Sequence, residues 1–131
     1  MTTKVALVDD NQTFVLSVRN HLATDPNVKV VGQAFGGPDA LRMIKELMPD
    51  VVLLDIAMPH MNGLEVARCL QRMDRAPAVI FLTMHDNTSY RKAATGVGAA
   101  GFVCKSNVVE ELLPLIAQVS AMRAGADVRR P

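Results

Sequence analysis

Five short apolar runs recur along the chain: Val5 to Val8, Val28 to Val31, Val51 to Leu54, Val79 to Leu82 and Gly101 to Cys104. Most are rich in β-branched residues and do not alternate with polar ones, the pattern of strands buried on both faces. Between them, apolar residues return at helical spacing. Phe14, Val18 and Leu22 share one helix face, as do Leu41, Ile44 and Met48; Val66, Leu70 and Met73; Tyr90, Ala94 and Val97; and Leu112, Ile116 and Val119. The chain is therefore βα repeated five times. That alternation predicts an α/β domain with a parallel sheet and helices on both faces, because parallel crossovers are right-handed almost without exception.

Local punctuation agrees with this period. Gly36-Gly37-Pro38 supplies a turn and a proline at a helix start, and Pro49 stops that helix before the third strand. Asn62 is placed to cap the third helix, and Asn107 followed by Glu110 resembles a capping box for the fifth. Pro114 lies inside the fifth helical pattern, where its missing donor predicts a kink or a delayed helix. From about Arg123 the residues turn small and polar, which predicts a frayed tail or a linker. The expected division is one domain over residues 1–122 and a tail or start of a linker over 123–131.

Composition narrows the class. Half of the 131 residues are apolar and 21% are charged, a balance that supports a packed core and excludes a disordered chain. Fourteen Lys and Arg against thirteen Asp and Glu leave a formal net charge of +1, too little to hold nucleic acid or an anionic membrane by field alone. The longest apolar runs are of strand length, far below the roughly 20 residues that cross a bilayer. Met1-Thr2-Thr3-Lys4 leads into a strand and then two acids, unlike a signal peptide. Cys69 and Cys104 stand alone, as packing thiols in a cytoplasmic protein would.

Ligands of doubly wound sheets bind at the C-terminal ends of the strands. The residues there are Asp9-Asp10 after the first strand, Asp55 after the third, Thr83 after the fourth and Lys105 after the fifth. Singly, each has a plain role: Asp10 could cap a helix, Thr83 could finish a strand and Lys105 could be a solvated charge. Asp55 is no cap, since Ile56 to His60 delay the next helix. Together, three neighbouring carboxylates repel unless something positive joins them, and hard oxygen ligands without His or Cys suit Mg²⁺. Such an ion and Lys105 would form a positive pocket for a phosphoryl group, with the Thr83 hydroxyl donating to one of its oxygens. Asp55, ionised at pH 7, could then attack phosphorus without a general base.

Several strings carry a family resemblance: Leu7-Val8-Asp9-Asp10, Pro49 to Pro59 with Asp55 near its centre, Asn62-Gly63-Leu64-Glu65, Leu82-Thr83-Met84-His85 and Gly98 to Lys105. From about Lys4 to Met122 the chain resembles the response-regulator receiver domains of two-component signalling. Leu82 to Asp86 and Val30 to Ala34 are most similar to the NarL/FixJ subfamily, whose members usually carry a C-terminal helix-turn-helix. The resemblance implies a flavodoxin-like (βα)₅ sheet of order 2-1-3-4-5. It makes Asp55 the phosphoacceptor, Asp10 a direct Mg²⁺ ligand, Asp9 a ligand through water and the Ala57 carbonyl a further ligand. Lys105 would contact the phosphoryl oxygens, Thr83 would be the switch hydroxyl and Phe102 the aromatic whose inward rotation reports phosphorylation. Judged without the resemblance, Phe102 is a plain core residue.

The implied partners are a sensor histidine kinase, or a small acyl phosphate as donor, and a second copy of the chain on phosphorylation. The implied role is a signalling switch controlling transcription through a DNA-binding domain that the 131 residues do not supply. No contact with nucleic acid or membrane is expected of these residues themselves. Three positions depart from common receiver patterns. Ser106 stands where many receivers have proline, Ala57 carries no polar group to position water, and His85 replaces an acid or amide. The alternative class is a pseudo-receiver that binds partners without phosphorylation, disfavoured because Asp9, Asp10, Asp55, Thr83 and Lys105 are all present. A dehalogenase-type phosphotransferase would need an acid where Ala57 stands, a flavodoxin a Ser/Thr/Gly-rich loop after strand one, and a P-loop its glycines and lysine.

Overall fold

The computed structural model describes residues 2–84 and 87–129, with side chains described to residue 125. The elements run β1 (Thr3–Val8), α1 (Gln12–Leu22), β2 (Val28–Ala34), α2 (Gly37–Leu47), β3 (Val51–Asp55), α3 (Gly63–Gln71), β4 (Ala78–Thr83), α4 (Thr88–Gly96), β5 (Gly101–Cys104), a 3₁₀ turn (Lys105–Asn107) and α5 (Val108–Arg129). All five strands pair in parallel in the order β2-β1-β3-β4-β5, which is the flavodoxin-like (βα)₅ arrangement expected.

Strand pleating divides the core into two layers. Val5, Leu7, Leu53, Ile80, Leu82 and Val103 join α1 and α5, through Val18, Leu22, Leu112 and Ile116. Their neighbours Ala6, Val8, Leu54 and Phe81 turn to the opposite face and meet α2, α3 and α4, through Ile44, Val66, Leu70 and Ala94. β1, β3 and β4 are the buried strands the apolar runs predicted; β2, at the edge, is only partly covered. Two helix faces are displaced from their expected members. On α1 Val15 is buried and Phe14 half-buried, and on α2 the exposed Met48 is the left-handed C-cap, with Ala40 buried in the stripe instead.

Register places the candidate residues. Val8 pairs with Leu54, so Asp9 and Asp55 follow at the same level. Asp55 pairs with Leu82 and Thr83 with Cys104, so Thr83 and then Lys105 each stand one residue further along the rim. The long Lys105 side chain can reach back across that stagger. Asn11, not Asp10, caps α1: its side chain accepts from the Phe14 N–H at 3.0 Å, leaving the Asp10 carboxylate for the rim. Asn62 caps α3 as expected, in a reciprocal box with Glu65.

Two expectations near the C-terminus, a delayed start of α5 and a frayed tail, are corrected. α5 neither starts late nor is broken at Pro114, which lies within the helix from Val108. Pro114 and Glu110 are both exposed, so the Glu110 carbonyl that loses its helical donor faces water. The chain beyond Arg123 is helical through Arg129 rather than a frayed tail. Arg123 Nη1 donates to the Ala76 carbonyl at 3.0 Å, and Thr3 and Ser120 hydroxyls meet at 2.8 Å, fixing this part of α5 to the body. The alanines at 121, 124 and 126 favour the helix intrinsically. The Lys105–Ser106 peptide is trans.

α3 begins hard against β3. A Cβ on Gly63 would lie 2.0 Å from the Asp55 carbonyl oxygen, and the Gly63 N–H donates to the Ile56 carbonyl at 2.8 Å. Both obstructing groups are backbone, so nothing nearby can yield cheaply. Gly63→Ala should therefore lower stability by about 1–3 kcal/mol, as overpacking does, measurable as an earlier urea midpoint at unchanged slope.

Candidate functional site

Ligand oxygens of Asp9, Asp10 and Asp55 lie within 4.8 Å of one another at the C-terminal edge of the sheet. Asp9 and Asp55 are buried and Asp10 is exposed, so the cluster has a wet side and a dry side. Lys105 enters from the dry side. Its Nζ is 2.6 Å from Asp9 Oδ2 and 3.6 Å from Asp55 Oδ2, with the lysine side chain only 8% exposed. The Phe14 ring covers the same ammonium, its centroid 4.3 Å from Nζ.

The β1–α1 corner holds Asp9 in place. The Asn11 N–H donates to Asp9 Oδ1 at 2.9 Å, while Oδ2 meets Lys105 as an ion pair without an in-line hydrogen bond. Its acceptor capacity is thus unspent inside the acidic cluster. Among the described residues the cluster is three carboxylates without a nitrogen or sulfur ligand, a donor set for a hard divalent cation such as Mg²⁺, and these residues fit that ion.

One lysine does not balance three acids. The Asp55 carboxyl is pushed up from its ordinary 3.8 to about 6, chiefly by burial and then by the Asp9 carboxylate. Asp10 adds to the rise, while Lys105 and the Ala57 backbone N–H oppose it. The Asp55 carboxylate is thus electrostatically frustrated, a state that a bound cation would relieve.

The loop after β3 is tightly turned. Met58 N–H donates to the Ile56 carbonyl at 3.1 Å, and Met61 N–H to the Pro59 carbonyl at 2.8 Å around His60, whose φ is 68°. These turns keep Ala57 exposed two residues after Asp55, before Asn62 starts α3. Thr83, 1% exposed, ends β4 one position beyond the partner of Asp55. Phe102 is not brought to the acids. It is half-buried against the layer beneath α2, α3 and α4, and the Arg91 guanidinium of α4 lies 4.6 Å from its ring centroid. His85 lies outside the described residues.

A family model for the response regulator receiver domain matches residues 5–117. The chain belongs to that family. The receiver is 37% identical over 118 residues to the response regulator GacA of Pseudomonas aeruginosa, covering 90% of this chain and 55% of that protein. It is 32% identical over 117 residues to the transcriptional regulatory protein DegU of Brevibacillus brevis, covering 89% of this chain and 50% of that protein. The chain thus spans about half the length of these curated relatives. Its fold matches the signal receiver domain of the response regulator NarL from Mycobacterium tuberculosis with a TM-score of 0.79 and 33% identity, covering 88% of this chain and 97% of that one. These similarities are of the NarL/FixJ kind anticipated, and the acidic cluster is the pocket at which receiver domains bind Mg²⁺.

Sequence reasoning missed three supporting residues. Asn11 was passed over for Asp10 as the cap, although Asn is equally suited to that position. Gly63 carries no signal beyond its place after Asn62, and the spacing of Phe14 places it on the α1 core face. The proximity of Phe14 to two acids in sequence was the available signal, but it does not reveal which strand end the ring covers.

Asp55 gives the receiver a pH signature in the absence of divalent ions. Because its carboxyl is harder to ionise in the folded chain, the folded state binds the proton more tightly, and stability falls as pH rises from about 4 through about 6. Asp55→Asn should consequently stabilise the metal-free protein at pH 7.5 by about 1–2 kcal/mol, solvent at the rim screening part of the repulsion. Urea denaturation in chelator should show this advantage shrinking toward pH 4; a constant difference would remove the electrostatic cause.

Proposed function

We propose that the receiver is a phosphoryl-accepting switch and that Asp55 takes the group from a phosphohistidine of a sensor histidine kinase or from a small acyl phosphate. The observation carrying this reading is the buried Asp55 carboxylate 3.6 Å from Lys105 Nζ within a cluster shared with Asp9 and Asp10. An Asp55 oxygen forms the new P–O bond. The P–N bond of phosphohistidine, or the P–O bond of the acyl phosphate, breaks, and its electron pair leaves with the imidazole or the carboxylate.

Lys105 and the Thr83 hydroxyl face the charge on the phosphoryl oxygens. Asp10, Asp55 and the Ala57 carbonyl would hold Mg²⁺, with Asp9 acting through bound water; the ion supplies charge neutralisation at those oxygens. The chain in this reading assists its own phosphorylation and dephosphorylation and is not an enzyme acting on other molecules.

The phosphoryl group draws Thr83 toward the rim, and the space released beside β4 admits Phe102 as the switch aromatic. The resulting population shift changes the face of α4, β5 and α5. A coupling of about 1–3 kcal/mol alters partner affinity or homodimerisation by about 5- to 150-fold. Transcriptional control through a DNA-binding domain outside these residues is the output proposed by similarity to DegU, described as a transcriptional regulatory protein. The cytoplasm is the proposed site of action; no helix among the described residues is long and apolar enough to cross a membrane.

Intact mass after incubation with acetyl phosphate and Mg²⁺ should show the addition of one phosphoryl group, lost with chelator and in Asp55→Asn. Labelling that persists in Asp55→Asn would overturn the acceptor assignment, and absence of labelling in the native chain would favour a phosphorylation-independent module.

Ala57 also leaves the acceptor without a side chain to orient an attacking water. The phosphoryl group should therefore be long-lived, and Ala57→Asn should shorten its half-life several-fold in a decay measurement on the isolated phosphoprotein. An unchanged half-life would remove this assignment.

A further inference from the structure

Lysine is a compact charge on a flexible four-carbon stem, and its rotamer entropy opposes any single placement. Lys105 follows β5 in a short 3₁₀ turn and is two strands away from β3, so the backbone alone does not aim its ammonium at Asp55. Two acids attract it, and the nearer is Asp9, at 2.6 Å against 3.6 Å. Attraction to acids alone would leave the ammonium free to slide toward the exposed Asp10 and solvent. On another side the ammonium lies over the Phe14 ring.

A closed circuit locates that ring. Asp9 Oδ1 accepts from the Asn11 N–H at 2.9 Å, and Asn11 Oδ1 accepts from the Phe14 N–H at 3.0 Å. The Phe14 ring then meets Lys105 Nζ at 4.3 Å, and Nζ returns to Asp9 Oδ2. Two hydrogen bonds thus register the start of α1 to the same carboxylate that the lysine pairs with. A face-on aromatic attracts an ammonium without neutralising it, and the ring takes no proton or metal ion from the carboxylates.

We propose that Phe14 is the positioning residue for Lys105. Its π face holds the ammonium over the dry side of the acidic cluster, available to a phosphoryl group on Asp55, where a third acid would have trapped it and an aliphatic side chain would have let it swing. This inference rests on the phosphoryl-acceptor reading above. It also separates shape from quadrupole: Leu and Met can fill the same space but lack the π face, whereas Tyr retains it.

The test compares wild type with Phe14→Leu, Phe14→Met and Phe14→Tyr at saturating acetyl phosphate and Mg²⁺, following phosphoprotein by intact mass. Leu and Met should lower the maximal rate by about threefold to tenfold, the range set by a partly desolvated cation–π contact. Tyr should restore the rate while melting temperatures stay close. Should Leu fail to fold, Met carries the comparison. A second readout is independent of turnover: the Lys105 ε-methylene protons, shielded by the ring current in wild type and Tyr, should move downfield in Leu and Met. Equal maximal rates in wild type, Leu and Met, or unmoved ε-methylene resonances, overturn the inference alone. Absence of phosphorylation in wild type overturns the acceptor reading and with it this one.

Discussion

One electrostatic imbalance organises the receiver. Asp9 and Asp55 are buried beside each other, Asp10 completes the cluster at its wet edge, and Lys105 spans the two buried carboxylates. A cluster with a net negative charge in a partly dry site is intrinsically costly, and the upward displacement of the Asp55 carboxyl records that cost. It is tolerated because the surrounding sheet is well packed: Val51 to Leu54 and their neighbours on β1 and β4 are almost wholly buried. A rigid hydrophobic scaffold can hold charged groups where they would not choose to sit, and such frustration gives a binding pocket its appetite for a cation.

The pleat then sorts residues by task. Leu7, Leu53 and Val103 point to the α1 and α5 layer, and Asp9, Asp55 and Lys105 continue that alternation two positions later. The acids and the lysine thus project toward the side on which α1 offers Phe14. Phe81 and Phe102 belong to the opposite layer, where Arg91 of α4 lies over the Phe102 ring. β5 therefore carries Phe102 on one face and, just past its end, Lys105 toward the other. The proposed acceptor chemistry and the proposed output surface are distinct places joined by one short strand.

Much of this plan was legible in the residues. Apolar runs located all five strands, and because each ends where polarity returns, Asp9, Asp55, Thr83 and Lys105 could be placed on one rim before any coordinate was known. The sheet order was a matter of resemblance, since periodicity does not specify which strands are neighbours. What escaped has a common cause. Asn11, Phe14 and Gly63 act through contacts to elements remote in the chain or through backbone approach, and one-dimensional patterning assigns such residues to caps, cores and turns. Pro114 and the stretch beyond Arg123 misled for a different reason. Propensity argued for a kink or a delayed start and then a frayed tail, but an exposed proline, with α5 anchored further on by Ser120 and Arg123, allows the helix to continue.

The geometry also explains why a lysine rather than an arginine suits position 105. A guanidinium would engage a carboxylate through a planar, bidentate fork, and Asp9, at 2.6 Å from the present ammonium, would be its natural partner. Such a pair would be more rigid and more completely satisfied, and the site would lose the loosely directed charge that can turn from Asp9 to a newly arrived anion. An ammonium with three rotatable donors makes one close ion pair and one longer approach, and keeps a face against an aromatic ring that makes no competing salt bridge. A signalling site must hold its charges firmly enough to be specific and weakly enough to exchange partners. The combination of two unequal carboxylate distances and one π contact satisfies both conditions with a single side chain.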